Sequence, residues 1–211
     1  MQCRRIATID EAEACWRDNV IPLLVDLDGT SIPNIKPSAV IDAIIAKRNL
    51  GTTKSMANIT IALGPGFCAG TDVDVVIETM RGHDLGRLIF DGYASPNTMV
   101  PAEIAGESAR RVVYAPVAGE IRHVQQIGNV VEQGDVLFRI DNIEITAPMS
   151  GLLRGLIHDG YSVKKGLKVA DIDGRTNIDW RTISDKSRSL GGAALEAYLY
   201  IKRLRLEEEK Q

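Results

Sequence analysis

Apolar runs broken by glycines and charged turns divide the first half of the chain. Ile21–Gly29 (IPLLVDLDG) predicts a strand closed by a turn, after a short acidic helix expected from Asp10 to Asp18. In residues 36–52 (KPSAVIDAIIAKRNLGT), Val40, Ile41, Ile44 and Ile45 suit a buried strand or a helix. The β-branched density and Pro37 just upstream favour a strand. A third run, NITIALGPGFCAG, breaks on its glycines. DVVIETMRGHDLGRLIFDG then predicts two strands of a hairpin around a long polar loop. Ser95–Arg111 is irregular, with two prolines, and is expected to be a linker or an active-site loop.

The second half repeats itself. Sliding the sequence by 32 residues aligns Ala115 with Ala147, Pro116 with Pro148, Gly119 with Gly151, Arg122 with Arg154 and Gly128 with Gly160. Val131 with Val163, Gly134 with Gly166, Ile140 with Ile172 and Asp141 with Asp173 complete the series without a gap. Each copy has an Ala-Pro, a Gly three residues later, a polar turn ending in Gly, a β-branched residue and a short apolar strand. Two such halves cannot bury a core separately, so they are expected to interleave as an all-β unit with two-fold pseudosymmetry. Beyond it, Ser184 or Asp185 can cap a helix. Leu190, Ala193, Ala194, Ala197, Tyr198, Ile201 and Leu204 recur along it at helical spacing, with Arg203–Glu207 and Arg205–Glu209 as i,i+4 pairs. The expected organisation is an α/β part over 1–111, the repeat module over 112–175, and a C-terminal helix within 176–211 that packs back on the body.

Composition narrows the function. With 25 basic and 28 acidic side chains the net charge is −3, which gives no broad field for nucleic acid or anionic lipid. No apolar run approaches a bilayer span, and the first ten residues carry no apolar signal core, so a cytoplasmic chain is expected with neither membrane nor nucleic-acid partners. Cys3, Cys15 and Cys68 are widely spaced and never form CxxC, which supports neither a disulfide framework nor a metal site. Open strand edges in the α/β part predict a homo-oligomer or pairing with a second polypeptide.

Candidate chemistry gathers where strands end. Lys47, Arg48 and Asn49 close one apolar run, and Gly64 and Gly66 break the next in a G-x-G turn. Glu78 closes a third, and Arg81, His83 and Arg87 fill the loop beyond. In α/β sheets ligands sit off the carboxyl ends of strands, where Arg and Lys suit phosphate or carboxylate groups. Lys47, Arg48, Asn49, Gly64, Gly66, Arg81 and Arg87 are therefore the candidate binding residues, and Glu78 and His83 the candidate acid and base. A solvated rim of ordinary ion pairs is the alternative. His123 and His158 are read as surface residues of the repeat.

The repeat resembles the barrel-sandwich hybrid of lipoyl and biotinyl carrier domains, whose central hairpin presents the modified lysine. Here that junction, FRIDNIEIT, has no lysine, so a docking module is expected rather than a carrier. The strings DAIIAKRNLGT, ALGPGFCAGTDVDVVIETMRGHDLGRLI, APVAG, APMSGLLRGLI and TISDKSRSLGGAALEA together resemble the accessory protein family of selenium-dependent molybdenum hydroxylases, from about Asn19 to Leu199. That resemblance implies an incomplete Rossmann-like sheet, without the glycine-rich N-terminal half of longer members. It also implies a cytoplasmic maturation factor with a molybdenum hydroxylase as client. The ligand it implies is an anionic cofactor intermediate of molybdopterin or selenium-bearing type. An enzyme acting on a small anionic substrate, with Glu78 or His83 as acid or base, is the competing expectation.

Overall fold

A computed structural model describes residues 2–98, 106 and 109–208. Two compact units emerge, one formed by residues 1–97 and 186–211 and the other by residues 98–185. Much of the expected loop between Ser95 and Arg111 lies outside the described residues.

The first unit begins with a parallel pair. β1 (Cys3–Ile6) and β2 (Ile21–Leu24) run in register from Cys3 opposite Ile21 to Ile6 opposite Leu24, joined by the short helix α1 (Ala12–Arg17). A 3-10 turn, Ile9–Glu11, leads into that helix, and Glu11 closes the turn by accepting the backbone N–H groups of Ala7 (2.9 Å) and Thr8 (3.0 Å), the reciprocal half of a capping box. Ala12 and Cys15 then bury one helix face against Ile6 and Val20. A one-turn helix, α2 (Ile32–Ile35), follows; its four residues are too few for a periodic signature in the sequence.

The main sheet is built from β3 (Ala39–Asp42), β4 (Ile59–Leu63), β6 (Val75–Ile77) and β7 (Leu88–Ile89) in the order β3-β4-β6-β7. The first three are parallel, and β7 returns antiparallel with Val76 opposite Ile89, as the hairpin pattern predicts. All of β4 and β6 is buried, because each strand has a covered face on both sides. Ile59, Ile61, Leu63, Val75 and Ile77 face the helix α3 (Asp185–Glu208) and its stripe Leu190, Ala193, Ala197 and Ile201. The alternate residues Ala62 and Val76 face Phe67, Ala69, Val73 and Ala94. A short antiparallel pair, β5 (Cys68–Ala69) with β8 (Gly92–Tyr93), contributes to that second layer.

Along α3, Arg203 pairs with Glu207 at 2.9 Å as expected. Glu209 lies outside the described residues, and Arg205 reaches Asp74 at 3.1 Å, tying the helix to the segment before β6.

In the second unit the 32-residue shift maps strand onto strand. β9 (Val112–Tyr114), β10 (Gly119–His123), β11 (Val130–Val131) and β12 (Val136–Ile140) correspond to β13 (Ile143–Thr146), β14 (Gly151–Leu156), β15 (Ser162–Val163) and β16 (Lys168–Asp173). The two sheets, β13-β12-β10-β15 and β9-β16-β14-β11, exchange under that mapping. Their shared core uses matched positions: Ala115 and Ala147, Ile121 and Leu153, Val131 and Val163, Ile140 and Ile172. Gly134 and Gly166 adopt φ of 96° and 82°, so both copies need glycine at the same left-handed turn. The unit is interleaved β structure in two four-stranded sheets, and the whole chain is mixed α/β with a C-terminal helix.

Candidate functional site

Three loops leave the carboxyl ends of β3, β4 and β6. The first is shaped from within. Buried Asp42, the last residue of β3, accepts the Thr52 hydroxyl at 2.6 Å and the Ile44 N–H at 3.1 Å. Asn49 accepts the N–H groups of Gly51 and Thr52, both at 2.8 Å, and donates to the Thr52 carbonyl at 2.9 Å. Its side chain therefore shapes the loop from within. The same loop holds Lys47 at φ 63°, a left-handed position costly for a residue with a side chain.

Gly64 and Gly66 explain how the loops come together. A Cβ on Gly64 would stand 2.7 Å from Thr79 Oγ1, and one on Gly66 would stand 2.5 Å from the backbone N and Cα of Arg48. Gly66 also has φ of 110°, open to glycine almost alone. The glycine turn after β4 thus lies against the loops after β3 and β6. Its sequence signal, a G-x-G break after an apolar strand, is a packing device that lets backbones meet.

Glu78 is 4% exposed and sits where β6 ends. Its two carboxylate oxygens accept the backbone N–H of Met80 and of Ser95, each at 2.7 Å. Burial opposes ionisation, but the accepted N–H bonds outweigh it and hold the carboxyl below its ordinary range. A carboxylate so held anchors the loop and stays ionised, which argues against Glu78 as a proton donor.

Lys186, in the first turn of α3, completes the arrangement. Burial first, then the neighbouring charges of Arg81 and Lys47, push its pKa down, while Glu78 pulls it up. Lys186 therefore feels the charges of Lys47, Arg81 and Glu78, which come from distant segments of the chain. Lysine and arginine side chains are the residue types that suit an anion. Sequence reasoning found Lys47 and Arg81 but missed Lys186, because ISDKSRS reads as a helix start and nothing in it shows that α3 begins beside the β6 loop.

The remaining candidates stand apart in their contacts. Arg87 is exposed and pairs with Asp84 at 3.6 Å. His83 is exposed, and no hydrogen bond ties it to the cluster among the described residues. Arg48 joins through its backbone, with an exposed side chain. Among the described residues no group of three His, Cys, Asp or Glu side chains could hold a metal ion. The three cysteines are free: Cys3 exposed, Cys15 buried and Cys68 half-buried. No described helix is long and apolar enough to cross a membrane.

Fold and site together define a mixed α/β protein with candidate anion-binding residues at the carboxyl ends of a mostly parallel sheet and a duplicated β unit in the same chain. No family model matches it. The chain is similar to a protein of Escherichia coli (strain K12) named "Uncharacterized protein YqeB", at 47% identity over 199 residues. The match takes in 93% of this chain and 37% of that protein, so the chain spans well under half of its relative's length. Among solved structures, the ectoine utilization protein EutE (DoeB) from Ruegeria pomeroyi is 21% identical, with a TM-score of 0.29 over 40% of this chain and 27% of that one. A putative succinylglutamate desuccinylase/aspartoacylase from Shewanella frigidimarina NCIMB 400 is 17% identical, with a TM-score of 0.27 over 46% and 27%. Scores this low identify no shared fold.

Proposed function

We propose that this protein is an accessory factor in the maturation of selenium-dependent molybdenum hydroxylases, and that it holds an anionic, molybdopterin-type or selenium-bearing intermediate for its client enzyme. The supporting observation is that the glycine turn after β4 packs on the Arg48 backbone beside Lys47, while Lys186 feels the charges of Lys47, Arg81 and Glu78. Glu78 lies where β6 ends, the position at which α/β sheets bind ligands. The pathway comes from the five sequence strings that resemble the family, and the similarity to YqeB is compatible with it.

In this reading the parallel strands are an incomplete Rossmann-like layer and the duplicated unit is a barrel-sandwich hybrid of lipoyl and biotinyl type. The β12–β13 turn, Asp141-Asn142, offers no lysine for a prosthetic group, so the module docks rather than carries.

Thermal unfolding with molybdate, molybdopterin precursors and nucleotides tests the proposal. A stable anion complex raises the melting temperature without turnover, by an amount that grows with ligand concentration. A ligand converted to product would replace a holding role with an enzymatic one.

A further inference from the structure

Helix α3 turns one face to the sheet and leaves the other without cover. Opposite the buried stripe of Leu190, Ala193, Ala197 and Ile201, the positions Gly192, Leu195, Leu199, Lys202 and Leu206 recur at spacings of three and four, so they form one row along the helix. Leu195 is 58% exposed, Leu199 54% and Leu206 48%. Large apolar side chains aligned on the outside of a helix mark an interaction surface. Gly192 is a second oddity in the same row. Glycine is the poorest helix former apart from proline, yet a Cβ at Gly192 would meet nothing within 4 Å. Among the described residues, then, no close contact requires a glycine there. The flank of the row carries Glu196 and, two turns later, Arg203. Arg203 pairs with Glu207, whereas Glu196 is exposed and forms no ion pair among the described residues.

We propose that α3 pairs with α3 of a second copy of this chain, antiparallel, across a two-fold axis at Leu199. In such a pair residues equally far to either side of the axis meet, and every contact occurs twice. Leu199 then meets its own twin. Leu206, seven residues on, arrives at Gly192, seven residues back, where the missing side chain leaves room for it. Arg203 stands four residues on and Glu196 three back, so the two fall within about one 1.5 Å helical step of register and on the same flank. Lys202 lays its apolar stem over Leu195 and keeps its ammonium in water. The leucines supply the affinity, and the exposed charge pair, worth little energy, sets the register. One row thus provides the knob, the gap that receives it, and both signs of charge. A two-fold interface requires that self-match and an unrelated partner does not, which selects a second copy. The self-association expected from open strand edges is thereby assigned to the helix.

The test is sedimentation of the intact chain at micromolar concentration, where a mass twice the 23.0 kDa of one copy is expected. Leu199→Asp sets a carboxylate against its twin at the axis and should weaken the dimer by about tenfold or more, as loss of a central apolar anchor does. Circular dichroism should show its helix content unchanged, because Leu199 faces away from the sheet. Charge reversal tests the register without touching a leucine. Glu196→Arg places like charges together and should weaken the dimer several-fold, and adding Arg203→Glu to it should recover most of the loss. Gly192→Leu separates pairing from folding. It improves the helix, so it should raise the melting temperature of the Leu199→Asp monomer, and it fills the space that Leu206 needs, so it should weaken the dimer of the otherwise unchanged chain. A monomer at micromolar concentration, a dimer indifferent to Leu199→Asp or to Gly192→Leu, or a double charge exchange no better than Glu196→Arg alone would overturn the proposal.

Discussion

Asp173 shows how one residue sets an acid limit. It is 1% exposed, and Arg175 bonds to it through Nε at 2.9 Å and Nη2 at 2.8 Å, with Arg154 adding a third contact at 3.3 Å. The Arg175 bonds, stronger than the opposing burial, lower its pKa to about 2 from 3.8. A carboxylate with a depressed folded pKa contributes stability that is complete above the unfolded value and is lost as pH falls through the folded one. The window here is therefore about pH 4 to pH 2, and the contribution at pH 7 is about 2 kcal/mol. Asp173→Asn should lose about that much in urea unfolding at pH 7 and narrow the gap to wild type as the pH approaches 2. The duplication partner, Asp141, instead accepts the Glu120 N–H at 3.0 Å, so identical residues at matched positions now serve different partners. That divergence was not legible in the repeat, because identity fixes position and the neighbours fix role. Asn49 is a second case: its loop-shaping bonds to Gly51 and Thr52 depend on a backbone turn that the apolar run before it does not announce.

Among the elements, the burial pattern was the legible part. The apolar run over Ile59–Leu63 marked a strand, all of it buried, and the helical stripe named the residues of α3 that pack on Ile59, Ile61 and Leu63. Ala197 is the tightest point of that stripe, with no exposed surface. Ala197→Leu should cost about 1–3 kcal/mol by overpacking, measured by thermal or denaturant unfolding. The glycine turn after β4 carries a sharper expectation. Gly66→Ala adds a Cβ that meets the Arg48 backbone at a φ closed to alanine, and should cost at least about 1–3 kcal/mol while also moving the Lys47 loop. A calorimetric melt near wild type would mean that the two loops are not packed as described. What the pattern could not show was contact across the chain. Arg205 bonds to Asp74, 131 residues away, and α3 begins beside the loop after β6; both depend on tertiary packing that no local window contains.

In the molecule as a whole, two compact units share one chain, and the sequence marked the β unit by its repeat far more clearly than it marked the ligand. The proposed function rests on an anion held by Lys47, Arg81 and Lys186. Lys186 is the informative member, because burial and like charge already disfavour its ammonium form. A lysine whose folded pKa lies below its unfolded 10.5 subtracts stability once pH falls below 10.5 and the unfolded chain takes up the proton, in full below the folded pKa. Lys186→Met should therefore leave the free chain at least as stable as wild type at pH 7 while abolishing anion binding. Isothermal titration of wild type and Lys186→Met with a molybdopterin precursor at low and high salt is the decisive measurement. An anion held by these three cations predicts binding by wild type that weakens with salt and is lost in the variant; binding of equal strength in both proteins, or none in wild type, would contradict it.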